Sequence, residues 1–172
     1  MSGETENAEA HFAAWHRWDR IYVLCYVLGA WGAILVGFYP AVARRYLGQA
    51  DFPAPVLLQA HVFAFTAWMC LLTTQIILIR TGRQNIHRRL GVTGVALVPI
   101  LVITGVGAEI MSQRFYSPKY PENLQFFIAP LIQMLVFLVC ATLALLLRRD
   151  PAAHKRLILL STSMILVAAY NR

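Results

Sequence analysis

Five long apolar runs, separated by short polar segments, constrain the fold of this chain more than any other feature. The runs lie at about 21–42, 56–79, 90–111, 124–147 and 157–172. An α-helix needs roughly 20 residues to cross a hydrocarbon core, and helices satisfy their own backbone polar groups inside lipid. The sequence therefore predicts an all-α fold, a polytopic transmembrane helical bundle of about five helices in one domain, residues 1–172.

The charge composition favours a membrane protein over a nucleic-acid-binding protein. Charged residues make up 13% of the chain and hydrophobic residues 59%, whereas soluble domains are roughly 25% charged. The net charge of +7 comes from Lys and Arg clusters that lie between the apolar runs. Such clusters are typical of membrane topology signals and of contact with anionic lipid headgroups. We therefore expect membrane lipids, and no nucleic acid, as partners.

Both ends of the chain differ from a simple span. Residues 1–20 are polar and partly acidic, and their aromatic residues recur at helical spacing, which predicts an amphipathic segment at the interface rather than a cleaved signal peptide. The last apolar run starts at Leu157 and reaches only Tyr170, which is short for a span. Either this helix is tucked against its neighbours or the natural polypeptide continues beyond Arg172, and we favour continuation.

The distribution of basic residues predicts the orientation. Ten Lys and Arg residues fall on the side that holds the amino terminus, and five fall on the opposite side. Because positive charge concentrates in cytoplasmic loops, we expect the amino terminus to lie in the cytoplasm.

One four-residue pattern occurs twice, each time where an apolar run begins. The two copies are His-Arg-Arg-Leu at 87–90 and His-Lys-Arg-Leu at 154–157. An even number of predicted crossings separates them, so His87 and His154 should lie at the same depth on the cytoplasmic side.

Two imidazoles at one depth on neighbouring helices suit the axial ligation of a b-type haem. Gly91 and Gly94 would leave room for the macrocycle or for a close neighbouring helix. The cations that would meet the propionates are Arg83, Arg88, Arg89, Lys155 and Arg156. Two alternatives remain: side chains that reach lipid headgroups without any cofactor, or a site for a quinone, a metal ion or a lipid.

Polar residues inside the predicted spans indicate a partly polar interior. Gln75, Gln133 and Glu109 lie on stripes that face inward at helical spacing. His61 and Glu109 lie at a similar depth in the outer half, where a hydrogen bond between them is possible. Ionisable groups inside a span are costly and often functional, so this pair suggests either a proton or quinol site or a structural contact.

Motifs for catalysis are missing from the sequence. There is no glycine-rich phosphate loop, no GxSxG and no HExxH, so the sequence does not favour an enzyme. Cys25, Cys70 and Cys140 lack the spacing for c-type haem attachment, and we expect them to be small buried side chains.

Two segments resemble a family of uncharacterised bacterial polytopic membrane proteins. They are QAHVFAFTAWMCLLTTQIILIRTGRQNIHRRLG at 59–91 and RRDPAAHKRLILL at 148–160. This resemblance implies a bacterial inner membrane and, in many members, further crossings after the stretch where this chain ends.

The histidine of the second run, and a histidine followed by a basic residue, Leu and Gly, are also similar to the cytochrome b561 and ferric-reductase-like group. That similarity implies haem b and transmembrane electron transfer, with His87 as the best-matched ligand and His61 as the next. Members of that group hold two haems between histidines at both depths. Here His61 has no histidine partner in the outer half, so we expect one haem at most.

Two functional hypotheses follow from the sequence. The first is a non-catalytic accessory subunit that packs its helices into a larger membrane assembly. The alternative is a single-haem b-type cytochrome in quinone-linked electron transfer, with His87 and His154 as axial ligands.

Overall fold

The computed structural model describes residues 17–50, 52–120 and 127–170, and these ranges contain α-helices and no strands. The helices are α1 (Arg17–Tyr46), α2 (Val56–Arg80), α3 (Gln84–Tyr116), α4 (Ile128–Leu146) and α5 (Pro151–Tyr170). These five helices are long and apolar enough to cross a membrane. The predicted all-α transmembrane bundle is therefore confirmed.

Several helices extend beyond the apolar runs that predict them. α3 covers Gln84–Tyr116, so the segment from Ser112 to Tyr116, predicted as loop, is helical. α5 begins at Pro151, which gives the last helix 20 residues instead of a short span from Leu157. The helices extend into polar segments because polar side chains at a helix end reach the membrane interface while the backbone continues its helical hydrogen bonds. The predicted interfacial segment lies mostly outside the described residues, and its last residues already belong to α1.

The helices pack as two hairpins with one further helix against them. α2 packs along α3, α4 packs along α5, α3 packs against α4, and α1 packs against α5. The common core is made of large side chains from α2, α3, α4 and α5. It contains Trp68, Met69, Leu101, Phe137 and Leu166, with the Trp68 and Phe137 rings edge to face at 5.2 Å.

Hydrogen bonds between helices link side chains near the middle of the bundle. Trp68 Nε1 donates to Thr162 Oγ1 at 3.1 Å, where both side chains are buried. Tyr26 OH donates to the Leu159 carbonyl at 2.9 Å, and Trp31 Nε1 donates to Thr73 Oγ1 at 3.1 Å. Inside a bilayer such bonds contribute roughly 0.6 kcal/mol each on average, so together they fix the positions of α1, α2 and α5.

The three cysteines differ from one another. Cys140 is buried, as predicted, but Cys25 and Cys70 are exposed on the outer faces of α1 and α2. The prediction was wrong for these two because an apolar run on an outer helix face needs no inward partner when lipid is its solvent.

Gly37 marks the closest approach of α1 to α5. A Cβ atom at this position would overlap the main-chain carbonyl of Ala169, whereas a Cβ at Gly32 would meet no atom of the described chain within 4 Å. Backbone cannot move aside as a flexible side chain can, so only glycine fits at position 37.

We expect Gly37→Ala to lower the free energy of unfolding by about 1–3 kcal/mol, because the added methyl group forces α1 away from α5. Gly32→Ala on the same helix is the matched control and should be neutral or slightly stabilising. Unfolding of the purified protein in mixed detergent micelles measures both. Equal stability of the two variants would contradict the close contact between α1 and α5.

Candidate functional site

His87 and His154, the two histidines of the repeated pattern, lie close together at one end of the bundle. The rings of His87 and His154 have centroids 6.4 Å apart, and their planes are nearly perpendicular, at 88°. Each histidine is the fourth residue of its helix, in α3 and in α5. The repeated pattern therefore produces equivalent positions in the two hairpins, as the sequence predicts.

The turn between α2 and α3 places His87. Gly82 has a φ of 73°, Gly82 N donates to Ile79 O at 3.2 Å, and Arg83 N donates to Leu78 O at 2.8 Å. These two bonds form a Schellman motif, in which a glycine adopts the left-handed conformation after the helix end. The chain then reverses at once, and α3 starts one residue after Arg83.

A different signal places His154. Asp150 Oδ1 accepts the main-chain N–H groups of Ala152 at 2.9 Å and Ala153 at 3.1 Å. This is an N-cap, and Pro151 occupies the first helical position, where its missing N–H costs nothing. Asp150 and Pro151 thus set the start of α5 three residues before the imidazole.

The ring of His154 is held by the preceding helix. Its Nδ1 lies 2.8 Å from the carbonyl oxygen of Ala144, in the last turn of α4, where carbonyl groups lack helical partners. A carbonyl oxygen only accepts, so Nδ1 carries the hydrogen. In the neutral ring Nε2 is then unprotonated and able to bind a metal ion.

His87 is held through its main chain. Gln75 Nε2 donates to the His87 carbonyl oxygen at 3.1 Å. The ring nitrogen Nδ1 and the amide oxygen of Gln75 are both buried, and neither has a hydrogen-bond partner among the described residues. Most buried polar atoms in proteins are satisfied, so these two atoms beside the histidine pair are exceptions.

The predicted cationic residues divide into two groups. Lys155 Nζ donates to Asp19 Oδ2 at 2.7 Å, and this ion pair links α5 to the first turn of α1. The other four are exposed at the same end of the bundle and can reach an anionic group. They are Arg83, Arg88, Arg89 and Arg156.

Gly91 and Gly94 face the neighbouring helix α2. A Cβ at Gly91 would lie 3.5 Å from Gln75 Nε2, and one at Gly94 would lie 3.6 Å from Leu71 Cδ2. An added Cβ at either position would make only ordinary contacts with side chains of α2. Any room for a macrocycle must therefore come from the side of the histidine pair that faces away from α2.

In the half of the bundle away from the histidine pair, His61 and Glu109 form hydrogen bonds with other residues and not with each other. His61 Nδ1 lies 3.3 Å from Thr104 Oγ1, and Glu109 Oε1 accepts from Gln113 Nε2 at 2.8 Å. Glu109 lies five residues after Thr104, about 7.5 Å further along α3, so His61 is level with the threonine. The hypothesised bond between His61 and Glu109 is not among the contacts of the described residues.

Gly105 lets an imidazole and a thioether approach the same point of α3. A Cβ there would lie 2.8 Å from Met134 Sδ and 3.0 Å from His61 Cε1. Gln133, beside Met134, is half-buried. These contacts account for His61 as a packing residue in the half of the bundle that lies away from the histidine pair.

Sequence reasoning missed Ala144 and Asp19. The contribution of Ala144 is its main-chain carbonyl, which leaves no signal in the residue type. Asp19 is one of the few acidic residues near the basic turns, so charge complementarity to Lys155 was the available signal.

The histidine pair offers two imidazoles, and no group of three or more His, Cys, Asp and Glu in the described part of the chain could hold a bare metal ion. Structural zinc sites use four protein ligands and catalytic ones three. Two imidazoles therefore suit a group that brings its own further donors, such as haem.

Comparison with protein-family models, curated proteins and solved structures finds no match for this chain. The resemblances to the bacterial polytopic family and to the cytochrome b561 group stay predictions, and the function must be argued from the geometry.

We expect Asp150→Ala to lower the free energy of unfolding by about 1 kcal/mol, because two N–H groups of α5 lose their cap. Asp150→Asn keeps the accepting oxygen and should retain most of the stability. Chemical unfolding in detergent measures both variants. If alanine proves as stable as asparagine, Asp150 does not set the start of α5.

Proposed function

We propose that this integral membrane protein is a single-haem b-type cytochrome whose axial ligands are His87 and His154. The observation that carries the proposal is the 6.4 Å separation of the two ring centroids. Metal–nitrogen bonds of about 2 Å on both sides of one ion would place the centroids of two such rings about 6 Å apart.

The hydrogen bonding of the pair supports the same proposal. A metal-binding histidine usually donates its other ring N–H to a carbonyl or carboxylate oxygen, which fixes the tautomer and raises the basicity of the ligating nitrogen. His154 has this arrangement, with Ala144 as the acceptor at 2.8 Å.

The charges around the pair suit an anionic cofactor near the membrane surface. The four exposed arginines lie in the turn before α3, in the second turn of α3 and in the second turn of α5, where guanidinium groups can bind carboxylates in bidentate fashion. Haem b, when bound, supplies one-electron transfer. Exchange of electrons with a membrane quinone in the bacterial inner membrane is the role that we infer for this site.

The accessory-subunit hypothesis, which the sequence ranks first, has less support. Large apolar residues are exposed on the outer faces of the helices, for example Leu35, Val36 and Phe63. Lipid chains cover such faces as well as partner helices do, so these faces do not single out a protein partner. The histidine pair is a specific arrangement, and it favours the cytochrome.

A reduced-minus-oxidised absorption spectrum of the protein, purified from haem-replete cells, tests this proposal. We expect a sharp α band in the wild type and in His61→Ala, because His61 lies in the other half of the bundle. His87→Ala should lose the band. His154→Gln should also lose it, while its amide N–H keeps a donor for the Ala144 carbonyl and preserves the packing.

Size-exclusion chromatography and circular dichroism check that each variant is folded. A colourless wild type, or a band that His154→Gln retains and His61→Ala loses, would overturn the assignment. A colourless wild type that copurifies with another membrane protein in mild detergent would point to the accessory-subunit function instead.

The proposed orientation places the histidine pair on the cytoplasmic side. Asn85 is exposed in the first turn of α3 and Lys119 is exposed just beyond the end of the same helix. In intact spheroplasts we expect a membrane-impermeant maleimide to label Lys119→Cys and to spare Asn85→Cys until the membrane is permeabilised. The opposite labelling pattern would place the pair on the outer side.

A further inference from the structure

The side chain of Gln75 contacts α3 at two points near the start of that helix. Its Nε2 donates to the His87 carbonyl oxygen at 3.1 Å, and the same nitrogen packs 3.5 Å from the position of a Cβ at Gly91. A carbonyl oxygen cannot donate, so the amide orientation is settled by chemistry: nitrogen faces His87 O, and Oε1 is the other terminal atom. The amide is therefore fixed against the helix turn that carries the imidazole.

The two buried atoms without partners at this place are complementary. Gln75 Oε1 only accepts hydrogen bonds, and His87 Nδ1 donates when it carries the ring hydrogen. They belong to residues that are already hydrogen bonded to each other, and rotation of the His87 ring about χ2 is soft. One bond between them would satisfy both atoms.

In the hairpin of α4 and α5, a comparable hydrogen bond is already present. There the Nδ1 of His154 donates to an oxygen in the last turn of the preceding helix, the Ala144 carbonyl. Gln75 lies near the end of the helix that precedes His87, in the equivalent hairpin. Both imidazoles would then be fixed by an oxygen of the helix before them.

We propose that Gln75 is a positioning residue of the histidine pair: its Oε1 accepts the Nδ1–H of His87 and so keeps Nε2 as the nitrogen that is available to a ligand. The inference rests on the proposed function for the identity of that ligand, but the tautomer of His87 is a property of the chain itself. Gln75 does not touch the reacting group, and it acts through His87.

Nitrogen-15 spectra of histidine-labelled protein in lipid nanodiscs test the proposal on the full chain without added haem. At a pH where the imidazoles are neutral, the two ring nitrogens have separate shifts when protonated and unprotonated, and the His87 signals are assigned by their loss in His87→Asn. We expect the Nδ1–H tautomer in the wild type. Gln75→Leu should shift His87 toward the Nε2–H form.

Gln59→Leu is the matched control, because Gln59 lies on the same helix at its opposite end and bonds to the Ala54 carbonyl. It should leave the His87 spectrum unchanged. An Nε2–H tautomer in the wild type would overturn the proposal. An unchanged tautomer in Gln75→Leu would also overturn it.

Haemin titration of the same preparations separates this inference from the proposed function. If the wild type binds haemin, Gln75→Leu should weaken the affinity about 10- to 100-fold, as the loss of an outer hydrogen-bond partner does at other metal sites. A wild type that binds no haemin but shows the Gln75-dependent tautomer removes the cytochrome and leaves the positioning role in place. If the wild type binds haemin but the His87 tautomer does not depend on Gln75, the cytochrome proposal stands and the positioning role of Gln75 is removed.

Discussion

The absence of water from a hydrocarbon core requires each polar group of this chain to find its partner inside the protein. The five helices satisfy their backbones in this way, and the side chains between them follow the same rule. Trp68 bonds to Thr162, Tyr26 to the Leu159 carbonyl and Trp31 to Thr73. Among the described residues, three buried side-chain atoms have no hydrogen-bond partner: Gln75 Oε1 and His87 Nδ1, which lie beside the histidine pair, and Gln113 Oε1 near the opposite end of α3.

The two helical hairpins use different local interactions to start the helix that carries the histidine. A glycine in a Schellman motif reverses the chain before His87, and an aspartate cap with a proline starts the helix before His154. Both devices put the imidazole in the first turn of the returning helix. The rings meet because α3 and α5 start at the same end of the bundle, and the pair is therefore a consequence of topology.

Most of the fold follows from the sequence, because length and hydropathy alone determine a helix that spans a membrane. The equivalence of His87 and His154 also follows, from a repeated pattern and an even number of crossings. The distance between the rings could not be predicted, because it depends on which helices pack together. The roles of Gly91 and Gly94 were open for the same reason, since a glycine does not reveal whether a helix or a ligand lies against it.

The partners of individual polar groups were the least predictable part. The Ala144 carbonyl leaves no trace in the residue type. His61 lies level with Thr104 rather than Glu109, and these two positions differ by about one and a half turns along α3. Such shifts are set by side-chain packing, here by Met134 and His61 against Gly105. Periodicity identifies the inward face of a helix, but it does not fix the height of one helix against another.

Electron paramagnetic resonance of the oxidised protein tests the central claim most directly, because it reports the ligands of the iron and their arrangement together. Two imidazoles on one haem give a low-spin ferric signal, and ring planes at 88° predict a strongly anisotropic one. A high-spin ferric signal, or purified protein without haem iron, would contradict the assignment of His87 and His154 as a shared pair of ligands.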